Sequence, residues 1–349
     1  MKALLLSAYK RLEIADLPTP VPGPGEVLLR VAACGICGSD VHGYDGSTGR
    51  RIPPIVMGHE AAGTVAGLGE GVAGFSEGDR VTFDSTVYCG RCSYCRRGLV
   101  NLCDHRQVMG VSTPDFRCHG AFAEYVAVPG NIIYRLPDRL SFEHAAMLEA
   151  VSVALHAVSL SKPAPGPAAL VIGAGMIGLL TLQALHAEGF PRVFIADLDD
   201  SRLRLAARLG AAATFDASGP DLVAQVHAAT EGQGVDLAME CVGRDETVRG
   251  AIDSVRKGGA VTLVGNIRPE VTLPLQKVVS RQIRLQGSAA SAGEYTRAIE
   301  LLGSGAIQVE PLITAVATLE DGPRWFERLY AGEPNLMKVV LTPESSHGF

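Results

Sequence analysis

The sequence predicts an α/β protein in which a doubly wound parallel sheet is joined to a second, β-rich domain. Up to about residue 150 the chain is a series of short apolar segments broken by Pro and Gly clusters, the texture of a β-rich domain. From Pro163 onward apolar, strand-like runs alternate with segments of helical spacing, which is the rhythm of a parallel sheet covered by helices. At 349 residues the chain is long enough for two domains that each bury a core.

The elements follow in order. "EVLLRVAA" and "AAGTVAGLG" read as strands of the first domain. A hinge is expected at "SKPAPGPAA". Beyond it "ALVIGA", "RVFIAD", "VDLAMECVG" and "AVTLVG" read as buried parallel strands, and "DSRLRLAARLG", "DLVAQVHAAT" and "ETVRGAIDSV" as the helices between them. The last 60 residues or so lose this alternation. "TRAIELLGSGAI" reads as a helix and "LMKVVLTP" as a closing strand, so the chain is expected to return to the first domain, giving 1–155 with 290–349 as one domain and 156–289 as the other.

Composition narrows the function. With 47% hydrophobic and 19% charged residues the chain is globular, not disordered. A net charge of −6, with only short basic pairs such as Arg96-Arg97, argues against nucleic acid as a partner. The apolar run in "MKALLLSAYKRLEI" is too short for a signal segment, and eighteen apolar residues never run uninterrupted, so the expected location is cytoplasmic with no membrane partner. In that reducing compartment eight cysteines serve as metal ligands more often than as disulfides.

"CGRCSYCRRGLVNLC" places Cys89, Cys92, Cys95 and Cys103 at C-x2-C-x2-C-x7-C. Four thiolates so close can close a tetrahedral shell around zinc, which leaves no open position and makes the site structural. A four-iron cluster is the rival, although the ferredoxin run has shorter spacing and a proline after its last cysteine, where this chain has Asp104. A second group stands upstream in "AACGICGSDVHGYDG" and "PPIVMGHEAAGTV", with Cys37, His59 and Glu60. Singly these are ordinary core residues. Together with a thiolate cluster and a glycine-rich turn they suit a catalytic zinc, which takes three protein ligands and keeps one exchangeable position. Cys34, Cys118 and Cys241 read as buried thiols, and Trp325, Phe326 and Tyr330 as one packed helix face or a subunit contact.

With "GICGSDVH", "GHEAAGTV", the four-cysteine lobe, "GAFAEYVAVP", "LEAVSVALHA" and "VIGAGMIG" in this order, the sequence resembles the medium-chain, zinc-dependent alcohol and polyol dehydrogenases over essentially its whole length. The resemblance implies a β-rich GroES-like catalytic domain and a Rossmann coenzyme domain. It implies that Cys37 and His59 ligate catalytic zinc and that Glu60 binds it directly or through water. The remaining ligand position falls on Glu149, as in the sorbitol-like polyol branch, although that branch has proline where this chain has Ala150. Ser39 and His42 match the relay that carries the substrate proton through the coenzyme ribose to solvent; Asp40 is expected to orient their loop and Tyr44 to line the pocket.

In that context the glycine stretch reads as a dinucleotide site. Gly173 makes the tight turn, Gly175 lets the backbone approach the pyrophosphate, and Gly178 permits close helix–strand packing. Asp197, ending the next strand, would take the ribose hydroxyls and repel a 2′-phosphate, which favours NAD; Arg202 nearby could accept that phosphate and leaves NADP open. Asp199 or Asp200 reads as the cap of the following helix. The resemblance places Val242, Val264, Gly265 and Ser288 beside the nicotinamide half and Ile177 beneath it. The expectation is an NAD-dependent, zinc-dependent oxidation of a polyol's secondary alcohol to a ketose by a homodimer or homotetramer. Alternatives are a polyol phosphate or L-threonine as substrate, a non-catalytic NAD sensor, and a zinc-ribbon nucleic-acid module.

Overall fold

The computed structural model describes residues 1–161, 168–219 and 221–343. The chain divides into two compact units. The first comprises Met1–Glu149, Tyr295–Gly303 and the described residues from Val309 on; the second comprises Ala150–Glu294 and Ser304–Gln308. Residues 162–167, the middle of the expected hinge, lie outside the described residues.

The first unit is β-rich. Its main sheet has seven strands, in the order Ile133–Arg135, Arg80–Phe83, Glu60–Leu68, Glu26–Gly35, Lys338–Thr342 and Ile313–Thr318, with Tyr125–Pro129 also paired to Glu26–Gly35. All pairings are antiparallel except that of Ile313–Thr318 with Lys338–Thr342. Lys2–Ala8, Arg11–Asp16 and Ile55–Val56 form a second, three-stranded sheet. One face of the alternating "EVLLRVAACG" strand, with Val27, Leu29 and Val31 at 3% exposure or less, seals the core between them. The carboxy-terminal "LMKVVLTP" closes this sheet, so the return of the chain to its first domain is a matter of strand pairing.

The second unit is a six-stranded, wholly parallel sheet. Its order is Ala213–Asp216, Val193–Asp197, Ala169–Ile172, Val235–Glu240, Val255–Leu263, Arg284–Gly287. This is the doubly wound 3-2-1-4-5-6 arrangement, whose order reverses beside the first strand and leaves a crevice at the carboxyl ends. The four inner strands are buried on both faces and were legible as continuous apolar runs. The two edge strands, "ATFD" and "RLQG", carry half-exposed or exposed side chains and no such run. The helices Asp200–Arg208, Leu222–Ala229 and Asp245–Ser254 occupy the expected segments. Asp199 caps the first of them, accepting hydrogen bonds from the Ser201 and Arg202 amides.

Phe142–Ser161 is, among the described residues, the only helical stretch long and apolar enough to cross a membrane, and it is 72% buried within the protein. Burial of that kind marks a core element.

Candidate active site

In the first unit, the strand Glu26–Gly35 ends against a short helix, Gly38–Gly43, whose amino end is capped by Cys37: the thiol accepts a hydrogen bond from the Ser39 amide at 3.5 Å. The neighbouring strand Glu60–Leu68 begins beside the end of Glu26–Gly35, with Glu60 opposite Gly35. Strand pairing thus brings Cys37 to His59 and Glu60 across 22 residues of sequence. The sulfur, imidazole and carboxylate ligand atoms lie within 4.8 Å of one another.

Three features suit this group to a metal. One Glu60 oxygen, Oε1, is buried without a hydrogen-bond partner. The imidazole turns Nε2 toward Ser39, whose hydroxyl oxygen is 3.4 Å away, and Nδ1 toward Asp40, whose Oδ2 is 3.4 Å away. A carboxylate behind a ligating imidazole fixes its orientation and raises its basicity. Burial would depress the His59 pKa, but Asp40 and Cys37 outweigh it and hold the ring well above the ordinary histidine range. A divalent cation bound there would displace that proton.

Asp40 does more than orient a loop. It is wholly buried, and Arg51, 3% exposed, donates to its Oδ1 from Nε at 3.2 Å and from a terminal nitrogen at 2.8 Å. Burial disfavours the Asp40 carboxylate, yet His59 and Arg51 hold its pKa well below the ordinary range. The same Arg51 nitrogen donates to the Ser39 hydroxyl oxygen at 3.3 Å, and that oxygen also sits 3.4 Å from the Cys37 sulfur. Ser39 is therefore in the network around the candidate ligands; His42, three residues on, is exposed.

Lys338 was not anticipated. It is 1% exposed, pairs through Nζ with Glu60 Oε2, and donates to the Ile36 carbonyl at 3.1 Å. Its one sequence signal was a lone lysine in the apolar run "LMKVVLTP". Glu149, in the first turn of the helix Leu148–Ser161, is not among the three residues whose ligand atoms converge. Its carboxyl is pushed up to about 7, by burial first and by Glu60 second. A cation among these groups would favour its charged form. Tyr44 belongs to the core instead of a pocket: its hydroxyl donates to the Lys10 carbonyl at 2.7 Å and its ring packs 5.9 Å from that of Phe326.

The four-cysteine lobe is held by two single-turn 3-10 helices, Cys95–Arg97 and Val100–Leu102. Its sulfurs lie within 4.8 Å of one another, with Cys92 3.4 Å from Cys95, Cys103 3.9 Å from Cys92 and Cys89 4.0 Å from Cys95. Tetrahedral zinc–thiolate bonds imply sulfur separations of about 3.8 Å. A four-iron cluster, with one cysteine on each iron, would hold the sulfurs further apart, so the spacing fits one ion. The amides of Cys89, Cys92, Cys95 and His105 donate to these sulfurs at 3.3–3.5 Å, as anionic thiolates require. The amides of Cys95 and Asp104 pull the Cys92 thiol down to about 6, while burial and Cys92 push Cys95 up to about 12. Burial raises the Cys118 thiol to about 11 and the Cys241 thiol to about 12, and holds Cys34 well above the ordinary range.

In the second unit, Gly173 takes φ +98° at the turn after the first strand, and a β-carbon on Gly178 would stand 1.7 Å from the Gly173 carbonyl oxygen. Only glycine lets this helix start against that strand. A β-carbon on Gly175 would meet nothing within 4 Å, since the residue faces an open cleft of about 1070 Å³. Gly173, Gly175, Asp197, Arg202 and Val242 line that cleft, together with Leu198 and Arg244, which sequence reasoning did not single out. Asp197 has a second task, accepting the Ala174 amide at 2.6 Å and so tying the glycine turn to the neighbouring strand. Arg202 leans on Asp199 at 3.7 Å. The amides of Val264 and Gly265 both donate to the Glu240 carbonyl, and a β-carbon on Gly265 would lie 2.2 Å from the Val242 amide nitrogen, so these two segments run side by side. Ser288 donates its amide to the Leu263 carbonyl at 2.9 Å and has a buried hydroxyl without a partner; Ile177 is half-buried.

Comparison with known proteins shows the family. Residues 23–138 match the family described as alcohol dehydrogenase GroES-like domain, and residues 177–304 the family described as zinc-binding dehydrogenase. The chain is 34% identical to sorbitol dehydrogenase of Bacillus subtilis (strain 168) over 347 residues, 98% of this chain and 97% of that one. It is 38% identical to L-idonate 5-dehydrogenase of Vitis vinifera over 349 residues, 97% and 94% of the two chains.

The chain belongs to the zinc-dependent medium-chain dehydrogenase/reductase family, in its polyol dehydrogenase branch.

Its solved relatives include galactitol-1-phosphate dehydrogenase from Escherichia coli, with a TM-score of 0.91 at 27% identity over 98% of this chain and 100% of that one. This medium-chain dehydrogenase is thus an NAD-dependent alcohol/polyol dehydrogenase, and its cofactors are NAD and zinc. Its partner is a small-molecule alcohol.

Proposed function

We propose that this dehydrogenase oxidises a secondary carbinol of a sorbitol- or galactitol-like polyol to a ketose, with NAD as the acceptor. The observation that carries the reading is the donor set of Cys37, His59 and Glu60, within 4.8 Å of one another and with one Glu60 oxygen buried and unpartnered. In this reading Cys37, His59 and one or both of Glu60 and Glu149 hold the catalytic ion, directly or through water. Zinc, when bound, supplies Lewis acidity that lowers the pKa of the substrate hydroxyl.

The protein's own groups do the rest. Asp40 holds the His59 ring in place, and Arg51 keeps Asp40 charged. Lys338 competes for Glu60 and so limits how far that carboxylate commits to the ion. Ser39, steered by Arg51, would accept the substrate hydroxyl proton as it hands its own on toward solvent, with the exposed His42 as the outer proton carrier. NAD, when bound, would supply the hydride acceptor, so that the alcohol would lose a hydride to it and a proton to solvent, two electrons and two hydrogens in all. Gly173, Gly175 and Gly178 seat the pyrophosphate, Asp197 the ribose, and Ile177, Val242, Val264, Gly265 and Ser288 the nicotinamide half. Residues 1–155 with 290–349 form the catalytic domain in this assignment, and 156–289 the coenzyme domain.

The test is initial-rate nicotinamide reduction across a stereochemical panel of polyols, with L-threonine included, NAD and NADP in parallel and a chelated control. Polyol oxidation with NAD, lost on chelation and restored by zinc, is the expected result. Turnover of L-threonine alone, or NAD binding without turnover of any alcohol, would overturn the reading. The free state of the cysteines accords with a cytoplasmic location. A homodimer or homotetramer completes the picture, and sedimentation as a monomer at micromolar concentration would refute it.

A further inference from the structure

Glu240 is wholly buried in the second unit, and no cation among the described residues pairs with it. It ends the strand Val235–Glu240, opposite Ile172 on one side and Leu263 on the other, and so stands where the order of the parallel sheet reverses.

Its hydrogen bonds all run to the turns beyond the carboxyl ends of the strands. Through Oε1 the side chain accepts the Val242 amide at 2.9 Å and the Gly243 amide at 2.8 Å, and through Oε2 it accepts the Gly243 amide again at 3.0 Å. Its carbonyl accepts the Val264 amide at 2.8 Å and the Gly265 amide at 3.0 Å. The two turns then hold each other: Ile267 donates its amide to the Val242 carbonyl at 3.3 Å, and Arg268 to the Gly243 carbonyl at 3.2 Å. The turn after the next strand, Arg284–Gly287, leans on the second through the Ser288 amide and the Leu263 carbonyl, 2.9 Å apart. There is no slack between the segments, since Gly243 takes φ +87° and a β-carbon on it would stand 2.6 Å from the Asn266 amide nitrogen. An alkyl side chain would bury at position 240 as well. What the carboxylate adds is an acceptor for two amides that no helix or sheet bond satisfies among the described residues.

We propose that Glu240 is a positioning residue for the nicotinamide half of the coenzyme: its carboxylate and carbonyl together hold the turns at 241–244 and 264–268 in the shape that receives the ring. The inference rests on the coenzyme assignment above. A dinucleotide lies across the crevice with one half on each side of the reversal. With Asp197 on the adenosine ribose, the nicotinamide half falls over the carboxyl ends of Val235–Glu240, Val255–Leu263 and Arg284–Gly287, the three strands whose turns Glu240 laces together. Ser288, whose buried hydroxyl has no partner in the protein, lies on the third of these turns.

Two probes test it by calorimetry on the zinc-loaded protein: NADH, and ADP-ribose, which lacks only the nicotinamide ring. Glu240→Leu leaves the Val242 and Gly243 amides without an acceptor and is expected to weaken NADH binding roughly tenfold or more while ADP-ribose stays within about threefold. The change in NADH fluorescence on binding should shrink in parallel. Glu240→Gln keeps one acceptor oxygen and should recover part of the loss; if Glu240→Leu yields no folded protein, the same two-probe ratio in Glu240→Gln decides, with a selective loss of about threefold or more expected. A variant that weakens both probes alike has only loosened the domain, and that result, or unchanged NADH binding, would overturn the role of Glu240. If the natural chain itself binds NADH no more tightly than ADP-ribose, the ring gains nothing from these turns, and the nicotinamide assignment falls together with the inference.

Discussion

Replacing Cys37 or His59 by alanine is expected to abolish alcohol oxidation while leaving NAD binding measurable. The two residues meet with Glu60 only because strand pairing sets the end of Glu26–Gly35 beside the start of Glu60–Leu68. Each supplies a donor that suits zinc, and neither has a neighbour able to substitute for it: the Asp40 carboxylate lies behind the imidazole, and Lys338 carries the wrong charge. Losing the Lewis acid removes several kcal/mol of stabilisation, about 10³-fold or more in kcat. NAD binding should survive because Gly173, Gly175 and Asp197 belong to a separate sheet with its own core. Metal analysis and coenzyme fluorescence titration of the variants check both halves. Full activity in either variant would discard the site assignment, and loss of NAD binding would show that the substitution had damaged more than the metal centre.

Cys103→Ser is expected to remove one zinc per chain and to loosen the lobe from Cys89 to Arg106. The sulfurs lie at single-ion spacing, each receiving backbone N–H groups, in a stretch whose only regular structure is two single-turn helices. Such a segment has little apolar surface to hold it, so metal binding supplies much of its order; in isolated zinc modules that contribution is about 10–16 kcal/mol. Only part of it would register in global unfolding, and the local signs should dominate: rapid proteolysis after Arg91, Arg96 and Arg97, and a lowered melting temperature. Unchanged zinc content and unchanged proteolysis would mean that the four thiols are not a metal site.

Acidification should weaken metal retention. His59 has a raised pKa and Cys95 is pushed up to about 12, so protons compete for these donors over the whole neutral range, and zinc affinity should fall as pH falls.

Local chemistry was legible because it is written in contiguous residues. The four cysteines span 15 positions, and the glycine turn follows directly from its strand. The four inner strands of the parallel sheet announced themselves as apolar runs because both of their faces are covered. The edge strands were silent, since a half-solvated strand needs no such run. Arg106, Lys338 and the second task of Asp197 carried no usable signal. A lysine in a strand and an arginine after a cysteine look like surface residues until the fold buries one against Glu60 and leaves the other's Nε buried without a hydrogen-bond partner.

The sequence by itself determined the family, the α/β class, the four-cysteine spacing and the glycine turn, because each is written in short stretches that backbone geometry translates directly; Cys37, His59 and Glu60 meet only through strand pairing. Only the tertiary structure decided which charges are already spent: Asp40 between His59 and Arg51, and Lys338 on Glu60. Burial and ion pairing are made between residues far apart in the chain, and no local pattern encodes them.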